Sequence, residues 1–284
     1  MIELNINNNP RFCPNKKFQK DVIDILCNSL FVSSTVSLIE DVYRKMNGKI
    51  NDIDASLLYP MEAGTLKSGI DIQNICQNGN IYAGHDLPVW LGDPCGADIK
   101  IMVISQDPRR NDSEMHTAGI TSNSGGIALS TPFGLHSIKW RSDKNKGLVH
   151  YIFTEMIQDY TKFGKSLSVY YTDMYKLRWV DSLSNSKNTP NFDIANKDLY
   201  LQILMKEINL FNPSMVLLLG KEAYNIFASL QTDKCYKEVP HPSSRVRLKT
   251  WQKYFPEITS CKTEEKKQCI KDMINKFLIS PQGQ

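Results

Sequence analysis

The sequence predicts a layered α/β domain built on a parallel sheet of four strands. Three mostly apolar runs, at 101–104, 169–172 and 216–219, have the length and composition of strands that are buried on both faces. A weaker fourth strand precedes Pro240. Stretches with helical spacing separate these runs, and such alternation is typical of a parallel sheet covered by helices.

The predicted elements can be justified in order along the chain. Apolar residues at helical spacing predict a helix over 16–46 and a second helical piece over 54–76, after which Asn78-Gly79 marks a turn. The stretch that continues to Pro94 contains two prolines and indicates an irregular approach to the first strand. The remaining expected elements are a strand at 99–105, a long loop rich in small residues, a helix at 148–163, a strand at 167–173, a surface loop at 181–193, a helix at 194–211, a strand at 214–220, a short helix at 222–230, a strand at 235–240 and a helix at 263–278.

Composition and charge narrow the class of protein. The 284 residues can form one large domain or one domain with an appendage, and the net charge of +4 permits nucleic-acid binding without arguing for it. The chain has no run of 18 apolar residues and no signal peptide, so we expect no membrane association. Seven scattered cysteines without a CxxC pair predict reduced thiols in the cytoplasm, with neither a metal site nor a cofactor.

Polar residues follow each of the four predicted strands. They are Ser105-Gln106-Asp107-Pro108, Asp173, Gly220-Lys221 and Pro240-His241-Pro242-Ser243. In an open parallel sheet, binding sites form beyond the carboxyl ends of the strands. We therefore expect Asp107, Asp173, Lys221 and His241 to meet in one crevice.

Two of these segments carry a resemblance to a known family. The first, 105–108, resembles the GQDP motif of the uracil-DNA glycosylase superfamily, and His241-Pro242-Ser243 resembles its late HPS motif. The resemblance extends over about residues 98–256 and implies a three-layer α/β/α fold with a four-stranded parallel sheet. We accordingly divide the chain into a helical N-terminal extension of unknown role, 1–95, and a glycosylase-like domain, 96–284.

The resemblance implies a role for each matching residue in flipping a base out of DNA and cutting its bond to the sugar. Asp107 would orient the attacking water and stabilise the cationic sugar, while His241 would donate a hydrogen bond to O2 of the leaving base. Gln106 would contact the base, and the family's stacking residue falls on Leu129 or, four positions later, on Phe133. The phosphate contacts would come from Ser243 and Ser244.

Departures from the family pattern point to the substrate. Arg109 occupies the position where uracil-specific members have a Tyr that crowds the 5-position of the base, so a larger and polar 5-substituent could enter. Asp173 occupies the position of an Asn, and a carboxylate accepts from the amino group of cytosine but cannot donate to O4 of uracil. Arg245 stands where a wedge Leu is expected. Together these changes favour a 5-modified cytosine, such as hydroxymethylcytosine or its glucosylated form, and a role in defence against phage.

DNA is the predicted partner, and two basic segments are candidate contacts for its backbone. Arg245, Arg247 and Lys249 alternate directly after the late motif, and Lys139 and Arg141 lie in a basic loop. No oligomeric state is assigned.

Several alternatives remain at this point. The protein could be a uracil or mismatch glycosylase with a protonated Asp173, or an inactive member that only binds DNA. Asp107 could cap a turn, Asp173 could cap a helix or pair with Arg178, and His241 could be a surface turn residue. Arg109 and the basic loop could be solvated charges, and Trp90 and Trp251 are assigned to the core.

Overall fold

The fold was analysed in a computed structural model, which describes residues 15–49, 58–62, 66–67, 70, 80–106, 124–129, 155–157, 159–162, 164–181, 196–230, 232–241 and 246–279. The strands are β1 (Leu58–Glu62), β2 (Asn80–Leu87), β3 (Val89–Leu91), β4 (Ile99–Ser105), β5 (Ser124–Leu129), β6 (Leu167–Asp173), β7 (Leu177–Asp181), β8 (Met215–Leu219) and β9 (Tyr236–Val239). The α-helices are α1 (Lys16–Ser29), α2 (Val36–Lys49), α3 (Lys197–Phe211), α4 (Lys221–Phe227), α5 (Leu248–Trp251) and α6 (Thr263–Ile279). A 3-10 turn, Ser33–Thr35, separates α1 from α2, and residues 155–157 and 159–162 are also helical.

The central sheet has the strand order β3-β6-β4-β8-β9. Strands β6, β4, β8 and β9 are parallel to one another. Strand β3 pairs with β6 at the edge of the sheet in antiparallel orientation. The four parallel strands are the three predicted from apolar runs and the weaker fourth strand expected before Pro240, so the α/β fold class is confirmed. Their common direction brings the carboxyl ends, including Ser105 and Asp173, to one edge of the sheet.

The N-terminal helix α1 packs directly on one face of this sheet. Its N-cap is Asn15, whose side chain accepts a hydrogen bond from the amide of Phe18 at 3.0 Å. The ring of Phe18 lies edge-on to Trp90 at a centroid distance of 5.0 Å and to Tyr170 at 6.1 Å. Both Trp90 and Trp251 are fully buried, which confirms their assignment to the core.

A second, four-stranded sheet has the order β1-β5-β2-β7, and it corrects several predictions. The predicted helix over 54–76 contains strand β1, the irregular stretch before Pro94 contains β2 and β3, and the long loop contains β5. The predicted helix over 16–46 is interrupted by the 3-10 turn. Proline and glycine obscure the strand pattern here, since β1 contains Pro60, β5 contains two glycines and β2 has a bulge next to Gly84.

The two sheets share one bent antiparallel ribbon. Strand β2 pairs with β7 in the second sheet, and β3 pairs with β6 in the central sheet. One side of the ribbon bends at Pro88, between β2 and β3, and the other side bends at residues 174–176, between β6 and β7. Asp173 therefore lies at the seam between the two sheets.

Glycine is required where the chain turns from β3 toward β4. Gly92 has a φ of +76°, and a Cβ at this position would overlap the carbonyl oxygen of Leu167. This close approach holds the end of β3 against the start of β6.

Candidate active site

Two buried side chains lie next to each other at the carboxyl ends of the adjacent strands β4 and β6. Ser105 pairs with Asp173 in the parallel register, and each is 2% exposed. The Ser105 hydroxyl donates a hydrogen bond to Oδ1 of Asp173.

A phenol and a second carboxylate adjoin this pair. Tyr171 lies two residues before Asp173 on the same face of β6, and Asp86, near the end of β2, is 5% exposed. Burial raises the pKa of Tyr171 well above its ordinary value, the negative charges of Asp173 and Asp86 act in the same direction, and the Ser105 hydroxyl opposes them. Tyr171 thus remains a neutral phenol that can donate a hydrogen bond.

The backbone after Asp173 is tied to the end of β4. The amide of Met174 donates to the carbonyl oxygen of Ser105 at 2.8 Å, and the amide of Tyr175 donates to that of Gln106 at 2.9 Å. Residues 174 and 175 form a bend that leads into β7, so the alternative in which Asp173 caps a helix is wrong. Gln106, which is half-buried, is the last described residue before Asp107.

Lys176 closes the same turn through a buried polar network. Its ammonium group lies 2.5 Å from Oγ1 of Thr172 and 2.5 Å from Oε2 of Glu207 in α3. Oε1 of Glu207 accepts from the hydroxyls of Tyr170 and Thr172, both at 3.2 Å. Burial raises the pKa of Tyr170 well above its ordinary value, and the negative charge of Glu207 acts in the same direction.

His241 lies at the same edge of the sheet, two residues after β9. Gly220, which follows β8, has a φ of +91°, and a Cβ built there would lie 3.9 Å from Cβ of His241. The Gly220 amide also donates to the carbonyl oxygen of Val239 at 2.8 Å. Asp173 ends β6 and His241 follows β9, and these two strands are three positions apart in the sheet. At the usual strand spacing the two strands are roughly 14 Å apart. The end of β4 lies between them.

The structure describes seven of the residues that the sequence predicted for the site. Lys221 is the exposed first residue of α4 and follows β8 at the carboxyl edge. Gln106, Asp173 and His241 lie at the carboxyl edge, while Arg247 and Lys249 are exposed at the start of α5. Leu129 ends β5 and pairs with Leu87, the residue after Asp86. The others lie outside the described residues, and their roles remain predictions: Asp107, Arg109, Phe133, Lys139, Arg141, Ser243, Ser244 and Arg245.

Sequence reasoning missed several residues of this edge. Ser105 was seen only as part of a motif, Asp86 was hidden because β2 was not recognised, and Tyr171 was counted as part of an apolar run. Lys176 and Glu207 were not singled out, although Glu207 interrupts the apolar face that Ile203, Leu204, Ile208 and Phe211 form on α3. A charged residue within such a face was the available signal.

Neither a metal-binding cluster nor a membrane-spanning helix occurs in the described part of the chain. It contains no group of three or more His, Cys, Asp or Glu side chains placed to hold a metal ion. None of its helices has the length and apolar character needed to cross a membrane. The five cysteines that the structure describes are free thiols.

Comparison with known proteins matches the greater part of the chain to one family. The family model of the uracil DNA glycosylase superfamily matches residues 93–272, which include the central sheet from β4 to β9 and most of α6. A search of curated proteins found no match to the chain. The members of the matched superfamily are DNA glycosylases, and its model covers more than half of the sequence. This protein therefore belongs to the uracil DNA glycosylase superfamily.

Proposed function

We propose that this protein is an active DNA glycosylase that excises a 5-modified cytosine and leaves an abasic site. The observation that carries the proposal is the buried carboxylate of Asp173 at the edge where the family binds the base. A carboxylate accepts a hydrogen bond from the N4 amino group of cytosine, whereas O4 of uracil would place its lone pairs against it.

The contact of Asp173 with Ser105 supports an accepting carboxylate. A hydroxyl that donates to a carboxylate favours the charged form, and Ser105 makes this contact. The uracil alternative needs a proton on Asp173, which burial of the carboxylate favours and the Ser105 contact opposes. The Ser105 contact therefore supports an amino group on the base over a second carbonyl.

The 5-position of the base is the second determinant. Arg109 occupies the position where uracil-specific members of the superfamily have a blocking Tyr. A flexible guanidinium can move aside for a bulky substituent and bond to the hydroxyl groups of a hydroxymethyl or glucosyl group. A pocket that requires such a substituent would spare ordinary cytosine in the host genome. This selectivity fits a role against phage DNA. The protein would act in a reducing compartment such as the cytoplasm.

The proposed chemistry uses two residues, one that follows β4 and one that follows β9. Asp107, the residue after Gln106, would hold a water for attack on C1′ of the flipped nucleotide as the bond from C1′ to N1 breaks. The charge that develops on the leaving base would be stabilised by a hydrogen bond from His241 to O2. The water loses its proton, the base gains one on release, and no cofactor is consumed.

The test is a comparison of four matched duplexes that contain uracil, cytosine, hydroxymethylcytosine or glucosylated hydroxymethylcytosine at one site. Abasic sites are detected by strand cleavage in alkali, and Asp107→Asn serves as the variant lacking the charge, with activity expected to fall about a hundredfold or more. Release of a modified cytosine, with ordinary cytosine left intact, is the expected result. Preferred release of uracil would establish the alternative, and no release from any duplex would reject the enzymatic proposal.

A further inference from the structure

The turn that carries Asp173 is fixed from both sides of the sheet by one residue. The carbonyl oxygen of Lys176 lies 2.5 Å from Nδ1 of His85, a fully buried residue of β2. The ammonium group of the same lysine reaches Thr172 and Glu207 on the face covered by α3. Lys176 thus links the second sheet, the turn and α3.

The burial of this ion pair is the unusual feature. The side chains of Lys176 and Glu207 are 1% and 0% exposed. Removing two charges from water is costly, and an apolar pair of similar size would often stabilise a fold as well or better. In some proteins such a pair specifies geometry, because its hydrogen bonds are directional and leave few alternative arrangements.

The geometry that it fixes belongs to the site. Thr172 and Asp173 are consecutive residues of β6 whose side chains point to opposite faces of the sheet. Lys176 holds Thr172 on one face, while Ser105 holds Asp173 on the other. Met174 and Tyr175 lie between Asp173 and Lys176 in the chain. Their amides donate hydrogen bonds to the carbonyl oxygens of Ser105 and Gln106.

We infer that the buried pair of Lys176 and Glu207 is a positioning device that sets Asp173 for base recognition and holds the end of β4, which leads into Asp107. Neither side chain touches the base in this arrangement; both act through the turn at 173–176. The inference rests on the proposed function for its effect on the base, but its structural part can be tested without activity.

The double variant Lys176→Met/Glu207→Gln tests the inference, since it removes both charges together and leaves no unpaired buried ion. The introduced amide keeps an oxygen that can accept from the hydroxyls of Tyr170 and Thr172, so these groups retain a partner and the variant should fold. Amide hydrogen exchange is followed by NMR on the full chain. Exchange at Met174 and Tyr175 is compared with exchange at Val216, whose amide bonds to Cys235 in the sheet and reports overall stability.

We expect exchange at Met174 and Tyr175 to accelerate at least tenfold relative to Val216. We also expect the single-turnover ratio of excision from hydroxymethylcytosine and uracil duplexes to change at least fivefold, whichever base the wild type prefers. A merely structural role cannot move this ratio, because a lower folded fraction reduces both rates equally. Phe227→Leu, a core change in α4 beside β9, is the control and should lower stability without altering either ratio.

The outcomes separate this inference from the proposed function. Unchanged relative exchange at the turn in the double variant would overturn the positioning role, and so would faster exchange with an unaltered excision ratio. If the wild type releases no base at all, the proposed function fails, and the exchange comparison alone decides whether the pair positions the turn.

Discussion

The exchange of one oxygen for one amino group at Asp173 should change which base is removed. Asp173→Asn keeps the size of the side chain, and the amide oxygen can still accept the hydroxyl of Ser105. The variant should therefore fold. Because a hydrogen bond to a charged group contributes about 1.5–3 kcal/mol and a neutral one about 0.5–1.5 kcal/mol, the free energy of unfolding should fall by about 1 kcal/mol.

The effect on base choice can be estimated from the burial of the site. One mismatched edge contact costs about 1–3 kcal/mol, which corresponds to a factor of roughly 5 to 150 in rate. Asp173 is 2% exposed, so water cannot replace the lost partner, and the upper half of this range is expected. The amide can donate to O4 of uracil, so Asp173→Asn should shift preference from modified cytosine toward uracil.

The assay is single-turnover excision from paired duplexes that differ only in the target base. Asp98→Asn is the matched control, because it makes the same chemical change just before β4, at the opposite end of the sheet, where the carboxylate accepts from the Ser166 amide at 2.8 Å. The control should leave the ratio of rates unaltered. A wild type that prefers uracil, or an Asp173→Asn variant with the wild-type ratio, would refute the reasoning.

Three further changes test other parts of the molecule. Replacing the exposed Arg247 and Lys249 by alanine should lower the slope of log Kd against log salt by about two, if each residue contacts one phosphate. The slope is measured by fluorescence anisotropy of labelled DNA. An unchanged slope would show that this surface does not contact DNA. Phe18→Ala should cost about 3–5 kcal/mol in urea unfolding because its ring packs into the sheet, and a loss below about 1 kcal/mol would mean that α1 contributes little to the core. Hydrogen bonds from the Ser260 hydroxyl and amide, and from the Thr259 amide and hydroxyl, lower the pKa of Glu265 from 4.5 to about 2. The contribution of the charged Glu265 to folding stability is therefore complete above pH 4.5 and is lost as the pH falls toward 2. Thermal melts in acid should show that Glu265→Gln loses less stability than the wild type over this range. Equal losses would contradict this contribution.

Three strands of the central sheet were predictable because they are buried on both faces. Strands β4, β6 and β8 appear as apolar runs, and β9 is the weaker strand expected before Pro240. The observed ends of all four lie within one residue of the predicted ones, and their shared direction brings Asp173 and His241 to one edge. Local sequence carries this information, since a doubly buried strand has few positions where a polar residue is tolerated.

The second sheet was not predictable in the same way. Strands β2 and β5 are stabilised by partners that are remote in sequence, and their glycines and polar residues do not form a strand pattern. Asp86 was lost with β2 for this reason. The pairing of Lys176 with Glu207 could not be derived from spacing either, because 31 residues separate them and buried lysines are rare.

The parallel pairing of β4 with β6 has a consequence for how such proteins diversify. These neighbouring strands are joined through residues 106–166, and the register of the pair is set by contacts within the sheet. The entropy of closing a connection grows only with the logarithm of its length, at about 0.6 kcal/mol for each doubling. The chain that leaves the end of β4 at Gln106 can therefore gain or lose segments over evolutionary time at little thermodynamic cost, and new substrate ranges can arise there while the strand framework stays unchanged.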